Sequence, residues 1–111
     1  MEITYTTRKI QKEYVGHHFE LEVVSNLGEA IDQLCQALGE DELKDPFAGD
    51  LCPYFGVLWS AAEGLSQFLA KHPELVQDKK VLEIGCGLGL PSMVASVLGA
   101  EVLATDFHPS V

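Results

Sequence analysis

The chain has 111 residues, of which 47% are hydrophobic and 22% charged, so we expect one globular domain rather than a disordered segment. Seven basic and 17 acidic residues give a formal net charge of −10, which disfavours a nucleic-acid backbone or an anionic membrane as partner. There is no apolar run of membrane-spanning length and no secretion signal, and the three cysteines are irregularly spaced. We therefore expect a cytoplasmic protein with free thiols.

The first part of the chain predicts a hairpin followed by a helix. Residues 3–8 and 18–24 are the predicted strands, joined by a turn near Gly16. Asn26 followed by Glu29 is typical of a helix N-terminus with a capping box. One helical face then carries apolar residues and ends at a glycine: Leu27, Ala30, Ile31, Leu34, Leu38 and Gly39. Residues 40–53 are predicted as a loop with room for one helical turn.

A second helix is predicted over residues 57–70, and His72-Pro73 ends it. Its apolar stripe comprises Leu58, Ala61, Ala62, Leu65, Phe68 and Leu69. Trp59 lies about 100° from Leu58 on such a helix. The residues alone leave two interpretations of Trp59 open, contact with a ligand and packing at the rim of the core.

The most informative segment begins with a short apolar strand over residues 81–84. Gly85, Gly87 and Gly89 follow at alternate positions. A helix here would be destabilised by about 1 kcal/mol per glycine. Glycine instead permits positive φ and lets a ligand approach the backbone closely. We therefore predict a glycine turn directly after the strand.

A helix and a second strand complete this segment. Pro91 suits the first turn of a helix, and Gly99 suits its end. The apolar stripe between them comprises Met93, Val94, Val97 and Leu98. Residues 101–105 form the next predicted strand, and Asp106 follows it. The result is a β-α-β unit, which binds adenosine-bearing cofactors at the carboxyl edge of a parallel sheet.

Two cofactor classes use such a unit. Dinucleotide folds prefer G-x-G-x-x-G/A, whereas here Leu90 occupies the third small position. Glu83, two residues before the first glycine, suits a cationic ligand better than a pyrophosphate. S-adenosylmethionine carries an ammonium and a sulfonium, and its carboxylate could meet N–H groups of the turn and helix start. Asp106 could accept hydrogen bonds from both ribose hydroxyls. A plain α/β turn with no ligand is the alternative.

The motif from Glu83 to Pro91, with Asp106 after the next strand, resembles motif I and the acidic loop of class I S-adenosylmethionine-dependent methyltransferases. The run from Tyr54 to Ala62 is similar to the glycine-to-tryptophan segment of the lysine-methyltransferase-like branch. The resemblance covers residues 53–111. It implies that a tryptophan and the first glycines line the cofactor and that the acid binds ribose. The predicted cofactor-binding residues are Trp59, Glu83, Gly85, Cys86, Gly87, Gly89 and Asp106.

The resemblance implies an α/β fold, the N-terminal portion of a doubly wound Rossmann-like sheet preceded by a hairpin and helices. We divide the chain into residues 1–52, the hairpin and helix extension, and residues 53–111, an incomplete cofactor-binding domain. Two parallel strands expose long edges and bury little apolar surface. We therefore expect either the N-terminal part of a larger protein or a chain completed by association with a second one.

The expected function is S-adenosylmethionine-dependent methyl transfer, with no catalytic base assigned. The resemblance favours a protein side chain such as lysine as acceptor, and small-molecule acceptors stay open. Two rivals are a non-catalytic half-fold that pairs with a second chain and an NAD-binding oxidoreductase domain.

Three smaller questions concern individual residues. Cys86 at a helix N-terminus could be a nucleophile with a lowered pKa, but a small spacer is favoured because no base stands beside it in sequence. Phe107 and His108 either border the adenine or form a plain loop. Because no cysteine or histidine pair has the spacing of zinc ligands, we predict no metal site.

Overall fold

The computed structural model describes residues 3–44 and 51–108, a mixed α/β arrangement. Within these ranges, no helix is both long enough and apolar enough to cross a membrane. The elements in chain order are β1 (Thr7–Tyr14), β2 (His17–Val24), α1 (Leu27–Ala37), α2 (Glu40–Leu43), α3 (Ser60–Lys71), β3 (Lys80–Ile84), α4 (Leu90–Val97) and β4 (Glu101–Thr105). Short 3-10 turns lie at Tyr54–Gly56 and Pro73–Leu75.

The predicted hairpin is present, but its first strand lies further along the chain than residues 3–8. β1 and β2 pair antiparallel, with Tyr14 opposite His17. The turn consists of Val15 and Gly16, whose φ angles of 54° and 73° match the positive φ that tight two-residue hairpins require. This turn sets the register, and β1 therefore also covers the stretch from Lys9 to Glu13, which lies beyond the predicted strand.

A polar residue on the inner face of β1 explains the wrong boundary. Lys12 lies between Ile10 and Tyr14 on that face, so the sequence shows no apolar alternation there. Its Nζ lies 2.6 Å from Oε1 of Glu63 on α3. The hydrogen bond and charge of Glu63 raise the pKa of Lys12. The partner that makes this lysine acceptable is 51 residues away (63 − 12), so local sequence could not reveal it.

α1 begins as predicted. The side chain of Asn26 accepts a hydrogen bond from the Glu29 N–H at 2.9 Å. The helix buries Ala30 and Leu34, and Leu38 is buried just after its end. The predicted loop over 40–53 contains the short helix α2, and its residues 45–50 lie outside the described part of the chain.

α3 begins at Ser60, three residues later than predicted (60 − 57), and ends at Lys71 before His72-Pro73. Trp59 is its N-cap residue, with an extended φ of −75° and ψ of 144°. The predicted helical angle between Leu58 and Trp59 is therefore wrong. The predicted stripe is also partly wrong, since Leu65 and Phe68 are 47% and 49% exposed. The residue that α3 buries completely is Ser66, whose hydroxyl donates to the Ala62 carbonyl at 2.8 Å.

The predicted β-α-β unit is confirmed. β3 and β4 pair in parallel, with Val81 opposite Val102. Pro91 lies in the first turn of α4. Gly99 follows the helix with a φ of 101°, as a residue after a helix C-terminus often does. The pairing of the described strands forms two separate two-stranded sheets. A larger doubly wound sheet therefore stays a prediction.

The hydrophobic core joins the hairpin to α4. Its buried members are Phe19, Leu21, Val23, Leu90 and Val94. Helix α3 contacts both α4 and β1, while α4 also contacts β4. Helix α4 therefore lies between the hairpin and the parallel sheet. The division of the chain at residues 52 and 53 stays a prediction.

One face of the parallel sheet is open to solvent. Leu82 and Leu103 are paired across it and are 58% and 63% exposed, and Ile84 is 80% exposed. Such exposure of large apolar side chains on one face is unusual for a soluble protein and marks a contact surface.

Candidate functional site

The glycine turn forms a concave end to β3. Gly85, Gly87 and Gly89 all have positive φ, at 68°, 53° and 78°. This conformation explains the alternate glycines, because an L side chain is strained there. A Cβ added to Gly85 or Gly89 would meet no other atom within 4 Å. The turn therefore leaves open space beside its backbone.

Asp106 is tied to the glycine turn by hydrogen bonds. Its Oδ2 accepts from the Gly87 N–H at 2.8 Å, and its Oδ1 accepts from the His108 N–H at 2.9 Å. These two backbone donors hold the pKa of Asp106 below its ordinary value, His108 contributing most. A carboxylate offers about four lone-pair positions. Positions for further donors therefore remain on both oxygens.

Most amides of the turn are already engaged within the protein. The Cys86 N–H donates to the Thr105 carbonyl at 2.9 Å, and the Gly89 N–H donates to the Cys86 carbonyl at 2.8 Å. Gly87 donates to Asp106. A ligand carboxylate would therefore meet mainly the amides at the start of α4, because the first amides of a helix lack intrahelical acceptors.

Glu83 connects the strand to the helix. Its Oε1 accepts a hydrogen bond from the Ser92 hydroxyl at 2.5 Å, and Ser92 itself is buried at 8% exposure. This bond holds the first turn of α4 against β3. The carboxylate also lines the same cleft as the turn, which gives that cleft negative charge beside Asp106.

Cys86 has the character of a spacer rather than a nucleophile. Burial raises its pKa above the ordinary value, and the charges of Asp106 and Glu83 raise it further. A thiol with a raised pKa remains protonated and unreactive at neutral pH. Burial and the two neighbouring carboxylates thus outweigh any lowering of the Cys86 pKa by the helix N-terminus. All three cysteines of the chain are free thiols.

The opposite wall of the cleft comes from residues before α3. Trp59 Nε1 donates to the Tyr54 carbonyl at 3.1 Å, and the two rings lie 6.3 Å apart. The indole is 51% exposed. Phe55 lies 4.4 Å from the His108 ring, measured between centroids. Tyr54, Phe55 and Trp59 thus form an aromatic wall that lines the same cleft as the glycine turn.

All seven predicted site residues line one cleft of about 430 Å³. This volume is within the range of small-molecule sites. Sequence reasoning missed several lining residues, namely Cys52, Tyr54, Phe55, Val57 and Leu58. Apart from Cys52, they belong to the run from Tyr54 to Ala62 that resembles the family segment, but no role was assigned to them individually. His108, left open above, is buried at 8% and lines the cleft. That these residues bind a cofactor stays a prediction.

The model of the lysine methyltransferase family matches residues 53–111, which is more than half of the chain. This chain belongs to that family. The match covers the whole segment from the aromatic wall through the glycine turn to Asp106.

Known relatives agree with this membership. A protein N-terminal and lysine N-methyltransferase of Neurospora crassa is 57% identical over 51 residues, 45% of this chain and 18% of that protein. An electron transfer flavoprotein beta subunit lysine methyltransferase of Xenopus laevis is 40% identical over 58 residues, 51% of this chain and 24% of that protein. A histone-arginine methyltransferase of Xenopus laevis is 34% identical over 83 residues, 72% of this chain and 36% of that protein. The chain thus matches between 18% and 36% of the length of these relatives.

Proposed function

We propose that this lysine methyltransferase family member binds S-adenosylmethionine in the cleft and forms the cofactor-binding part of a protein methyltransferase. The observation that carries the proposal is that predicted site residues from separate stretches of sequence line one cleft. These residues are the glycine turn with its positive φ angles, Asp106 and Trp59. We propose a cytoplasmic location on the basis of the free thiols.

The cleft fits this cofactor in shape and charge. The open space beside Gly85 and Gly89 is a cradle that any Cβ would partly fill. Asp106 has lone pairs left for the ribose hydroxyls, and the carboxylate of Glu83 provides charge complementary to an ammonium or sulfonium. Trp59 supplies an aromatic surface at the cleft edge.

The same cleft suits NAD poorly. Its lining includes the carboxylate of Glu83 beside the glycine turn, and none of the lining residues that the structure describes is a lysine or arginine. A pyrophosphate on the turn would place its negative charge near Glu83, whereas Asp106 suits the ribose of either cofactor. Leu90, fully buried at the third small position of the dinucleotide motif, is a second departure from an NAD site.

When bound, S-adenosylmethionine supplies a methyl group on a sulfonium that an acceptor lone pair can attack. The task of this chain is to bind, orient and exclude water. The glycine turn and Asp106 would hold the nucleoside, and Trp59 and Phe55 would help to exclude water from the cleft. An amine acceptor must also lose a proton, which requires a base or a desolvated pocket. No described residue is assigned to that step.

The names of the relatives support an acceptor class. Two of the three relatives are named for lysine and one for histone arginine. We therefore propose a nitrogen of a protein side chain, with lysine first, as the acceptor. The net charge of −10 would favour a basic protein segment over an acidic one. A small-molecule acceptor is the less supported alternative.

A second candidate function rests on the open face of the parallel sheet. Leu82, Ile84 and Leu103 together expose an apolar surface that a cofactor-binding unit does not need. We propose that this face pairs with protein, either a second copy or the further sheet and helices of a complete family fold. Pairing without catalysis would make the chain an interaction module.

Isothermal titration calorimetry with S-adenosylmethionine and with NAD tests the proposal. We expect heat of binding with the first ligand and none with the second. Binding of NAD alone would replace the methyltransferase function by an oxidoreductase function. Binding of neither would leave the pairing module as the better proposal.

A further inference from the structure

His108 is buried at 8% exposure, although Phe107 immediately before it is 77% exposed. Three contacts hold it in place. Its Nε2 lies 2.9 Å from the Leu51 carbonyl oxygen, its ring lies 4.4 Å from the Phe55 ring, and its backbone N–H donates to Asp106 Oδ1 at 2.9 Å. One residue thus connects the acidic loop to the opposite wall of the cleft.

The chemistry of the contact with Leu51 fixes the tautomer at one nitrogen. A carbonyl oxygen only accepts hydrogen bonds, so Nε2 must carry a proton and donate. The tilted ring contact with Phe55, at 42° between planes, further restrains the imidazole. The backbone N–H of His108 donates to Asp106. Contacts that hold the imidazole in place therefore also hold the Asp106 carboxylate in place.

We infer that His108 is a positioning residue that aims the Asp106 carboxylate at the ribose hydroxyls of the cofactor. This inference rests on the proposed function. His108 does not contact the reacting atoms in this role. It connects residues 51–55 to the loop at residues 106–108. Loss of the link should weaken binding of the ribose more than binding of the rest of the ligand.

The test uses matched variants of the full chain. His108→Leu keeps apolar bulk against Phe55 but removes the side-chain donor to Leu51. His108→Gln retains an N–H donor on a side chain of similar length and serves as the conservative rescue. His18→Leu makes the same chemical change at an exposed position of the hairpin and is the control.

The decisive readout is a ratio of affinities for two ligands, S-adenosylhomocysteine and its 2′-deoxy analogue. In the unchanged chain, loss of one hydroxyl should weaken binding about tenfold, since hydrogen bonds to a charged group are strong. In His108→Leu this ratio should fall to about twofold or less, and His108→Gln should restore most of it. Without any ligand, hydrogen exchange over residues 51–56 should speed up in the Leu variant and not in the control.

Three results would overturn the inference. If His108→Leu weakens both ligands equally, the residue supports the fold and does not aim the carboxylate. If the ratio and the exchange rates are unchanged, the link has no role, while binding by the unchanged chain would still support the proposed function. If the unchanged chain binds neither ligand, the proposed function fails and the inference falls with it.

Discussion

Asp106 combines two tasks in one side chain. It accepts backbone hydrogen bonds that hold its own loop to the glycine turn, and it presents remaining lone pairs to the cleft. These hydrogen bonds lower the pKa of Asp106, because each N–H donor stabilises the charged form. A carboxylate so held stays ionised throughout the neutral and mildly acidic range.

We predict that Asp106→Asn weakens binding of S-adenosylmethionine by about tenfold to 100-fold, because an amide offers a donor where two backbone N–H groups need acceptors. Calorimetry at pH 7 measures the change. Asp32→Asn on the exposed side of α1 is the control and should bind like the unchanged chain. Equal affinity of the two variants would show that Asp106 is not part of the binding site.

The same residue predicts a pH dependence. Because its folded-state pKa is lowered, its stabilising contribution is complete above the ordinary aspartate pKa of about 3.9 and is lost as pH falls through the lower folded value. Titration of this carboxyl should therefore leave cofactor affinity unchanged between about pH 5 and 8. NMR titration of the Asp106 carboxyl carbon measures the pKa directly. A midpoint at or above the ordinary value would contradict the hydrogen bonds described here.

The elements of the cleft depend on glycine for two different reasons. The turn residues need positive φ, and Gly85 also leaves open space that belongs to the cleft. Gly56 needs no special φ. A Cβ there would lie 2.6 Å from Cγ1 of Val24, so the turn at Tyr54–Gly56 can approach β2 this closely only with glycine. Gly85 thus leaves space within the cleft, and Gly56 sets the position of the aromatic wall.

We predict that Gly85→Val reduces cofactor affinity below detection while the chain remains folded, because the side chain enters the open space of the turn. Gly16→Val is the matched control, since Gly16 has a similar φ of 73° and also has no atom within 4 Å of an added Cβ, but lies in the hairpin turn. Both variants should lose similar stability, about 1–2 kcal/mol. Circular dichroism checks the fold and calorimetry the binding. Comparable affinity losses in both would show that strain, not occupancy, is responsible.

We predict that Gly56→Ala destabilises the chain by about 1–3 kcal/mol through overpacking against Val24. Gly64→Ala is the control, because Gly64 lies in α3 with no atom near an added Cβ, and alanine there should stabilise the helix by up to about 1 kcal/mol. Urea denaturation gives both values. A neutral Gly56→Ala would show that the turn and β2 are not packed as described.

Elements whose signals are local could be predicted from the sequence. The cap of α1, the glycine turn, Pro91 in α4 and Gly99 after it each rest on neighbours within a few residues. The register of β1 could not be predicted, because Lys12 is accommodated by Glu63 on another element. The role of His108 was equally hidden, since its carbonyl partner belongs to Leu51.

At the scale of the whole molecule, the residues that the structure describes partly cover one face of the parallel sheet and leave the other exposed. Among these residues, each strand of this sheet pairs with one neighbour, and its other edge is a template for further pairing. The relatives are several times longer than their matched parts, which agrees with a family fold that covers such a face with additional elements.

We predict that the isolated chain self-associates through the sheet face despite its negative charge. Ile84→Lys should shift the chain towards monomer, because Ile84 is 80% exposed on that face. Val15→Lys at the hairpin turn makes the same charge change at a residue 52% exposed and should leave association unchanged. Sedimentation velocity over a range of concentrations measures both. A monomeric unchanged chain at high concentration would refute this prediction.

The hydrogen bond between His108 and Leu51 spans 57 positions of the chain. During synthesis on the ribosome, the hairpin and α1 emerge first, and the aromatic wall is translated well before His108, with which Phe55 and Leu51 make contact. Closing so long a loop costs entropy that only the completed contacts recover. The cleft between the aromatic wall and the glycine turn is therefore completed late in folding, after the local elements have formed.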